Sequence, residues 1–495
     1  MRGTTDDLLG RSVADSGGSA PAEDDGSGSV FSPVRSNLDA QRTALGLQGP
    51  TTIEGLIADE PIPLAEQFQQ AGQVDPATTG TIGRVEAVGP LQTGVGAPVA
   101  APYSAPGIQI GTITLRPSVE IGATYTHRTS RDEDAGPPAQ IVTSTSEARD
   151  VEVIADVAFE GDFGASQLSG DVDITLPFSV DDGSFDSVTT SGNATLFREL
   201  ADEQQITATA GFTYDAEDPR SAAVSNATGG ATDPVVTADP STLTLNGTIG
   251  YQRPVGPVVT GATLGVSRTM LGDVSLSDGS EISQSDLNST SYTAQLRGAL
   301  DTGAILSPFV ELDLGLRRFD DDTDANGLDR NSRDIALRGG VEFDLGDKLN
   351  GEIAAGYFFE NIEQRSLPDL AGLSLEGALN WSPRRDIDIG LSLSTETEPT
   401  GDANTSGSIV YSFDSDVDYR ARANLTLNGS FGVEIDDEVK SDDDTATITG
   451  QVGATYWYNR FAGITGRVGY EQTLSDQEAN RSEEWSAFIG LRMQR

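Results

Sequence analysis

From about Gly111 to Arg495 apolar and polar residues alternate with a period of two. In Gly351–Glu360, Ile353, Ala355, Tyr357 and Phe359 fall on one side, with Glu352, Gly356 and Glu360 on the other. Successive strand side chains point oppositely, so each set forms one face of a sheet. The stretches run to about ten residues or more before a turn, the length a tilted strand needs to cross a bilayer. Strands of soluble sandwiches are usually shorter. The pattern therefore predicts a transmembrane β-barrel with its apolar face toward lipid.

The same parity recurs along the chain. Outward sets are Ile335, Leu337, Val341 and Phe343; Val310, Leu312, Leu314 and Leu316; Leu425, Leu427, Phe431 and Val433; and Ile448, Val452, Ala454, Tyr456 and Tyr458. Charges almost never land on that parity, where a midplane Arg or Lys costs about 2–4 kcal/mol. Ser184 to Leu200 alternates more weakly. Connections alternate in length. Short turns lie at 161–164, 253–256, 301–304, 345–348, 382–385 and 459–461, and long polar loops at 130–145, 215–241, 273–289, 320–332, 396–406, 436–445 and 475–484. Tight periplasmic turns and long extracellular loops mark bacterial outer-membrane barrels. The spacing predicts a single all-β, up-and-down antiparallel barrel of about 18 strands, with 16 as the alternative. An even count brings both ends to the periplasmic side.

Residues 107–495 form the barrel in this reading. Residues 1–106 are rich in Gly, Ala, Pro and Asp, with few large apolar side chains. Such a segment buries too little surface to offset its ordering entropy, so a largely disordered periplasmic segment is expected, with a plug domain as the alternative. Met1 to Gly18 show no apolar h-region after Arg2, so no signal peptide is expected within the chain. An outer-membrane protein needs one, so the expectation is a trimmed start or a start codon set too far downstream, the alternative being that the barrel reading fails.

Composition narrows the chemistry. The 495 residues include no cysteine, and the formal net charge is −46. Disulfides and Cys-based metal sites are excluded, and a nucleic-acid partner has no basic footprint to bind. Only 36% of residues are hydrophobic, and no apolar run is long enough for a membrane helix, which leaves a closed barrel as the spanning structure. The sole histidine, His127, reads as a polar rim residue, and a His-based triad lacks its partners. No enzyme and no cofactor is expected. Asp320, Asp322 and Asp324, and likewise Asp442–Asp444, are weak calcium candidates without an EF-hand pattern, and solvated loop tips are the plainer reading.

Two sets of residues carry the functional content. The inward parity places Arg116, Glu120, Asp150, Glu152, Asp156, Asp171, Asp173, Arg297, Glu311, Asp313, Arg317, Arg338, Glu342, Glu352, Glu376, Asp388, Glu434, Arg467 and Glu471 along the lumen. Acidic groups outnumber basic ones. Barrels of about 16–18 strands enclose an aqueous channel unless something fills it, and charged walls bias which ions enter. Arg and carboxylates can equally pair across strands and crowd the interior. Tyr125, Tyr251, Tyr357, Phe359, Trp381, Phe413, Tyr456, Tyr458 and Trp485 form two interfacial girdles in this reading, with Tyr251, Trp381, Phe413, Tyr456 and Tyr458 on the short-turn side.

The stretch Ala101–Glu120, with Pro102-Tyr103 leading into Gly107-Ile108 and then Leu115-Arg116-Pro117-Ser118-Val119-Glu120, resembles the start of an outer-membrane β-barrel porin family of Gram-negative bacteria. That resemblance implies an outer-membrane location and a porin-like barrel, and some members accompany exopolysaccharide export. One departure is the end, Leu491-Arg492-Met493-Gln494-Arg495, where such barrels commonly finish on an aromatic residue. The expected function is passive diffusion of small hydrophilic solutes with a mild cation preference. The alternatives are an accessory barrel of an exopolysaccharide export system and a secreted acidic β-rich adhesin. Expected partners are outer-membrane lipid and lipopolysaccharide, the barrel insertion machinery and, in the second reading, polysaccharide export proteins.

Overall fold

Period-two alternation makes strands here because each strand can place one face against lipid only if every backbone group is paired sideways, and closure removes the edges. In the computed structural model the described residues are 103–134, 140–181, 183, 188–216, 236–238, 241–300, 305–401, 403–440, 444–475 and 481–495. A three-residue strand β1 (Ile108–Ile110) folds back on β2 (Ile113–Asp134). Then follow β3 (Gln140–Asp162), β4 (Ser166–Ser179), β5 (Thr189–Glu199), β6 (Gln205–Ala216), β7 (Val236–Ala238), β8 (Ser241–Val255), β9 (Val258–Leu271), β10 (Val274–Leu276) and β11 (Glu281–Ile282). The remainder are β12 (Ser289–Leu300), β13 (Leu306–Phe319), β14 (Ser332–Asp344), β15 (Leu349–Ile362), β16 (Leu370–Arg384), β17 (Ile387–Glu398), β18 (Ser408–Arg422), β19 (Leu425–Glu438), β20 (Thr445–Asn459), β21 (Ala462–Ser475) and β22 (Ser482–Gln494).

Eighteen of these form the wall: β2–β6, β8, β9 and β12–β22, each antiparallel to its neighbours. β2 closes the ring by pairing with β22, from Ser118 opposite Gln494 to Ser130 opposite Ser482. The 16-strand alternative is set aside. β7, β10 and β11 make a separate small sheet outside the wall.

The even strand number brings Tyr103 and the C-terminus to one end, where the Gln494 side-chain amide donates to the Tyr103 carbonyl at 2.7 Å. Short turns share that end. Val255 pairs with Val258 across Gly256-Pro257, and Gly256 has φ +63°, a conformation glycine takes without steric cost. The turns at 345–348 and 460–461 lie at the same end, whereas 301–304 fall outside the described residues.

Several loop boundaries differ from the sequence reading. Residues 130–145 are mostly strand, since β2 and β3 stay paired out to Asp134 opposite Gln140. Their polarity marks strand in water rather than loop, because ladder bonds satisfy the backbone whichever solvent surrounds it. The weakly alternating stretch 184–200 yields β5. Residues 1–102, most of 217–240, and Asp442 and Asp443 lie outside the described residues.

The outer face carries the apolar residues. Leu337 and Leu373 are each 58% exposed and Val452 and Ile489 each 66%, a surface that only a bilayer or a partner would cover. The nine aromatics expected to form girdles are all exposed on this side. Phe413 differs in height from its assignment beside a short turn: it lies nearer the 399–407 connection at the long-loop end than the Ala423-Asn424 turn.

Candidate solute pathway

Ion pairs that skip strands identify the concave face, since side chains on the convex side diverge. Arg297 on β12 donates from Nη1 to Glu352 on β15 at 3.0 Å, across β13 and β14. It also lies 3.7 Å from Glu311 and from Glu342, and its guanidinium stacks 3.6 Å above the Phe309 ring. Arg338 on β14 has no side-chain exposure. It bonds Glu311, approaches Asp313 at 2.6 Å and Glu376 at 2.8 Å, and donates to Ser374 at 3.0 Å. Two arginines thus hold five carboxylates: Glu311, Asp313, Glu342, Glu352 and Glu376. This stretch of wall is crowded rather than open.

A second network joins the two ends of the sheet. Glu120 on β2 bonds Arg467 on β21, and Arg492 on β22 reaches the same carboxylate at 4.0 Å. Glu152 lies 3.9 Å from Arg467, and the Arg467 guanidinium stacks 3.9 Å over Phe488. Asp156 accepts from Ser118 at 3.3 Å and stands opposite Asp173, while Asp171 accepts from Asn193 at 2.7 Å. Asp150 sits higher on the same face, opposite Thr124. Arg116 pairs with Glu160 at 2.9 Å near the short-turn end.

A third stretch of wall, β18 to β22, differs in charge balance. Asp388 is bonded by Arg420 at 2.9 Å and Ser382 at 2.8 Å. Level with it and above, Asp418, Asp416, Asp414, Glu434 and Glu471 have no arginine or lysine within ion-pair distance among the described residues. Glu471 and Gln451 are exposed on this inward side, so solvent reaches them.

The wall is also not uniform in thickness. Pairing between β16 and β17 stops at Gly377 opposite Leu393, yet β17 and β18 stay paired to Glu398 opposite Ser408. The upper half of this hairpin has therefore left the wall. It has moved inward: Thr397, on the same parity as lipid-facing Leu393, accepts from Arg317 at 3.1 Å and donates to Glu360 at 2.6 Å. Arg317 and Glu360 are themselves paired at 3.2 Å on the inner faces of β13 and β15. Ile409 packs with Ala336, Phe358 and Leu370 from the inner faces of β14–β16. Two β16 N–H groups at the gap find side chains instead of a strand, as Leu375 donates to Thr395 at 3.0 Å and Leu373 to the Tyr411 hydroxyl. The tip is pinned by Asn326 and Arg330, which donate to the Gly401 and Thr405 carbonyls at 2.9 and 3.0 Å.

The calcium candidates do not converge. Arg268 takes Asp320 through both oxygens, and this bonding holds the Asp320 carboxyl below the usual carboxylate range. Asp324 accepts from Arg330 at 2.6 Å and from the Asn326 and Leu328 amides. Among the described residues no three acidic or histidine side chains are placed to hold one metal ion, Asp322 included. His127 lies 3.9 Å from Glu147 near the outer rim.

Sequence reasoning placed Glu360 on the polar face without counting it in the lumen set, and missed Arg420, Arg492 and the Asp414-Ser415-Asp416-Val417-Asp418 alternation, although its inward parity was visible. It also missed the apolar inward residues Phe309, Phe358 and Phe488, whose single large side chains break no pattern.

The family model described as "Putative beta-barrel porin 2" matches residues 101–495. No curated protein matches the chain. Among solved structures, OpdQ of Pseudomonas aeruginosa is 11% identical, with 77% of this chain and 98% of that one covered and a TM-score of 0.34. A BenF-like porin from Pseudomonas fluorescens Pf-5 is 11% identical over 77% and 99%, with a TM-score of 0.36. OccK9 (OpdG) of Pseudomonas aeruginosa is 12% identical over 77% and 98%, also at 0.36.

Proposed function

The chain belongs to this β-barrel porin family, an outer-membrane barrel, and from that premise we propose that it conducts small hydrophilic solutes passively, with a preference for cations. The observation that supports the reading is the charge imbalance of the β18–β22 wall. There Asp414, Asp416, Asp418, Glu434 and Glu471 face inward without basic partners among the described residues, and Glu471 is exposed to solvent. The inner-face arginines, Arg420 and Arg467 of this stretch included, are held by neighbouring carboxylates, so they offer little field to attract anions. Unpaired wall charge in contact with water raises the local concentration of the opposite ion. The inturned β17–β18 hairpin narrows the path and pushes it toward this acidic side.

The test is single-channel conductance in a planar bilayer, with the reversal potential measured across a salt gradient. Cation-selective openings are expected, and Glu434→Gln/Glu471→Gln should move the reversal potential toward zero. Glu311, Asp313 and Glu342 are unsuitable probes, because neutralising them dismantles the Arg297–Arg338 network. A folded, inserted barrel that carries no current overturns the reading.

A further inference from the structure

The inward face of β18 carries Asp414, Asp416 and Asp418 at alternate positions, so their carboxylates rise in file about 7 Å apart. Glu434 on β19 lies beside the top of this file, opposite Ser412. Ser392 donates to Asp414 and Ser412 to Glu434, which aims both carboxylates. Glycine stands opposite two of the rungs, Gly390 across from Asp416 and Gly432 across from Asp414, so no neighbouring side chain covers them from those strands.

The foot of the file supplies an independent observation. Asp418 is only 4% exposed, and its Oδ2 has no hydrogen-bond partner among the described residues. Its charged neighbours include Asp388, directly opposite, and Asp416, whose Oδ1 also lacks a partner. Arg420, the cation nearby, is spent on Asp388 and the Arg385 carbonyl. A buried carboxylate facing two others stays ionised only where a further cation offsets its desolvation. The carboxylates do not converge as a single-metal site would require. A row of separate anions is instead matched by a flexible chain bearing several ammonium groups, each donating to one carboxylate.

We propose that the Asp414–Asp416–Asp418 file, with Glu434, is a binding site for linear aliphatic polyamines. The proposal rests on the reading of the barrel as an aqueous path and deepens it by naming a solute class. Few-methylene spacers let successive ammonium groups meet successive rungs. Linked contacts raise affinity beyond what the same charge achieves on a compact ion.

Calorimetric titration of the folded barrel in detergent compares spermidine with hexaamminecobalt(III), two trications that differ in shape. Spermidine is expected to bind about tenfold more tightly, as linked weak contacts allow. Asp414→Asn/Asp416→Asn/Asp418→Asn should abolish that preference, whereas the loop variant Asp321→Asn/Asp322→Asn should keep it. Heat-modifiable migration on a gel checks that each variant is folded. Should the triple variant fail to fold, Asp416→Asn alone must weaken spermidine several-fold. Equal affinity for the two trications, or an unchanged preference in a folded file variant, overturns the site. Because the titration needs no current, a barrel that binds spermidine but does not conduct keeps the site and removes the channel. One that conducts without the preference does the reverse.

Discussion

Arg338 illustrates how single residues hold the interior. Its guanidinium is fully buried among Glu311, Asp313 and Glu376, so truncation removes a cation that three carboxylates share. Breaking a buried network from one side typically costs about 3–5 kcal/mol, because the desolvated partner charges remain. Arg338→Met should therefore lower the denaturant midpoint of the folded barrel by a corresponding amount, whereas Arg333→Met, on an exposed side chain, should leave it almost unchanged. Equal midpoints for the two variants would remove the network's structural role. Asp320 gives a pH signature at the outer rim. Its carboxyl is held low by Arg268, so the tether is fully present above the ordinary Asp value of about 4 and is lost as pH falls through the lower folded value. Protease resistance of the 320–331 loop should hold at neutral pH and decline only in acid, and Asp320→Asn should flatten that dependence. Inward charges such as Glu352 were readable from parity alone. Their partners were not, since Arg297 and Glu352 sit three strands apart and only closure of the sheet brings them together.

At the level of the strand, parity tells which way a side chain points but not what it meets. Ile409 and Tyr411 share the parity of exposed Phe413, yet both pack against the inner surface of β14–β16. One trace of the inward turn was present in β17, where the outward series Ile387, Ile389, Leu391 and Leu393 gives way to Thr395 and Thr397. Those threonines are polar because they face Leu375 and the Arg317–Glu360 pair. The packing also identifies a residue that controls the hairpin. A Cβ on Gly372 would fall 2.9 Å from the Tyr411 hydroxyl and 3.2 Å from both Ile409 and Phe358. Gly372→Val should therefore push the hairpin from its seat, giving larger and noisier single-channel currents while the barrel still inserts. Unchanged conductance in that variant would mean that the hairpin does not limit the path.

For the molecule as a whole, strand number and common-end termini were legible because both follow from alternating connection lengths. The eccentric distribution of the interior was not, because it depends on which strands become neighbours and on one hairpin leaving the wall. Closure itself carries a prediction about the N-terminal hundred residues. The ring is completed by β2 on β22 through thirteen paired positions, from Ser118–Gln494 to Ser130–Ser482. The stretch just before it is tied to the C-terminal strand by the Gln494–Tyr103 bond. Every wall strand therefore has both neighbours without any residue before Tyr103, and no edge is left for an upstream segment to cover. A chain beginning at Tyr103 should refold into detergent or lipid with the same heat-modifiable migration and sheet signal as the full chain. Its unfolding midpoint should match as well, since every ladder bond among the described residues is kept. If the truncated chain inserts but conducts more than the full one, residues 1–102 obstruct the path, and the plug reading of that segment replaces the disordered one. If it fails to insert, the segment supplies contacts that the barrel needs, and the division of the chain near residue 106 is wrong.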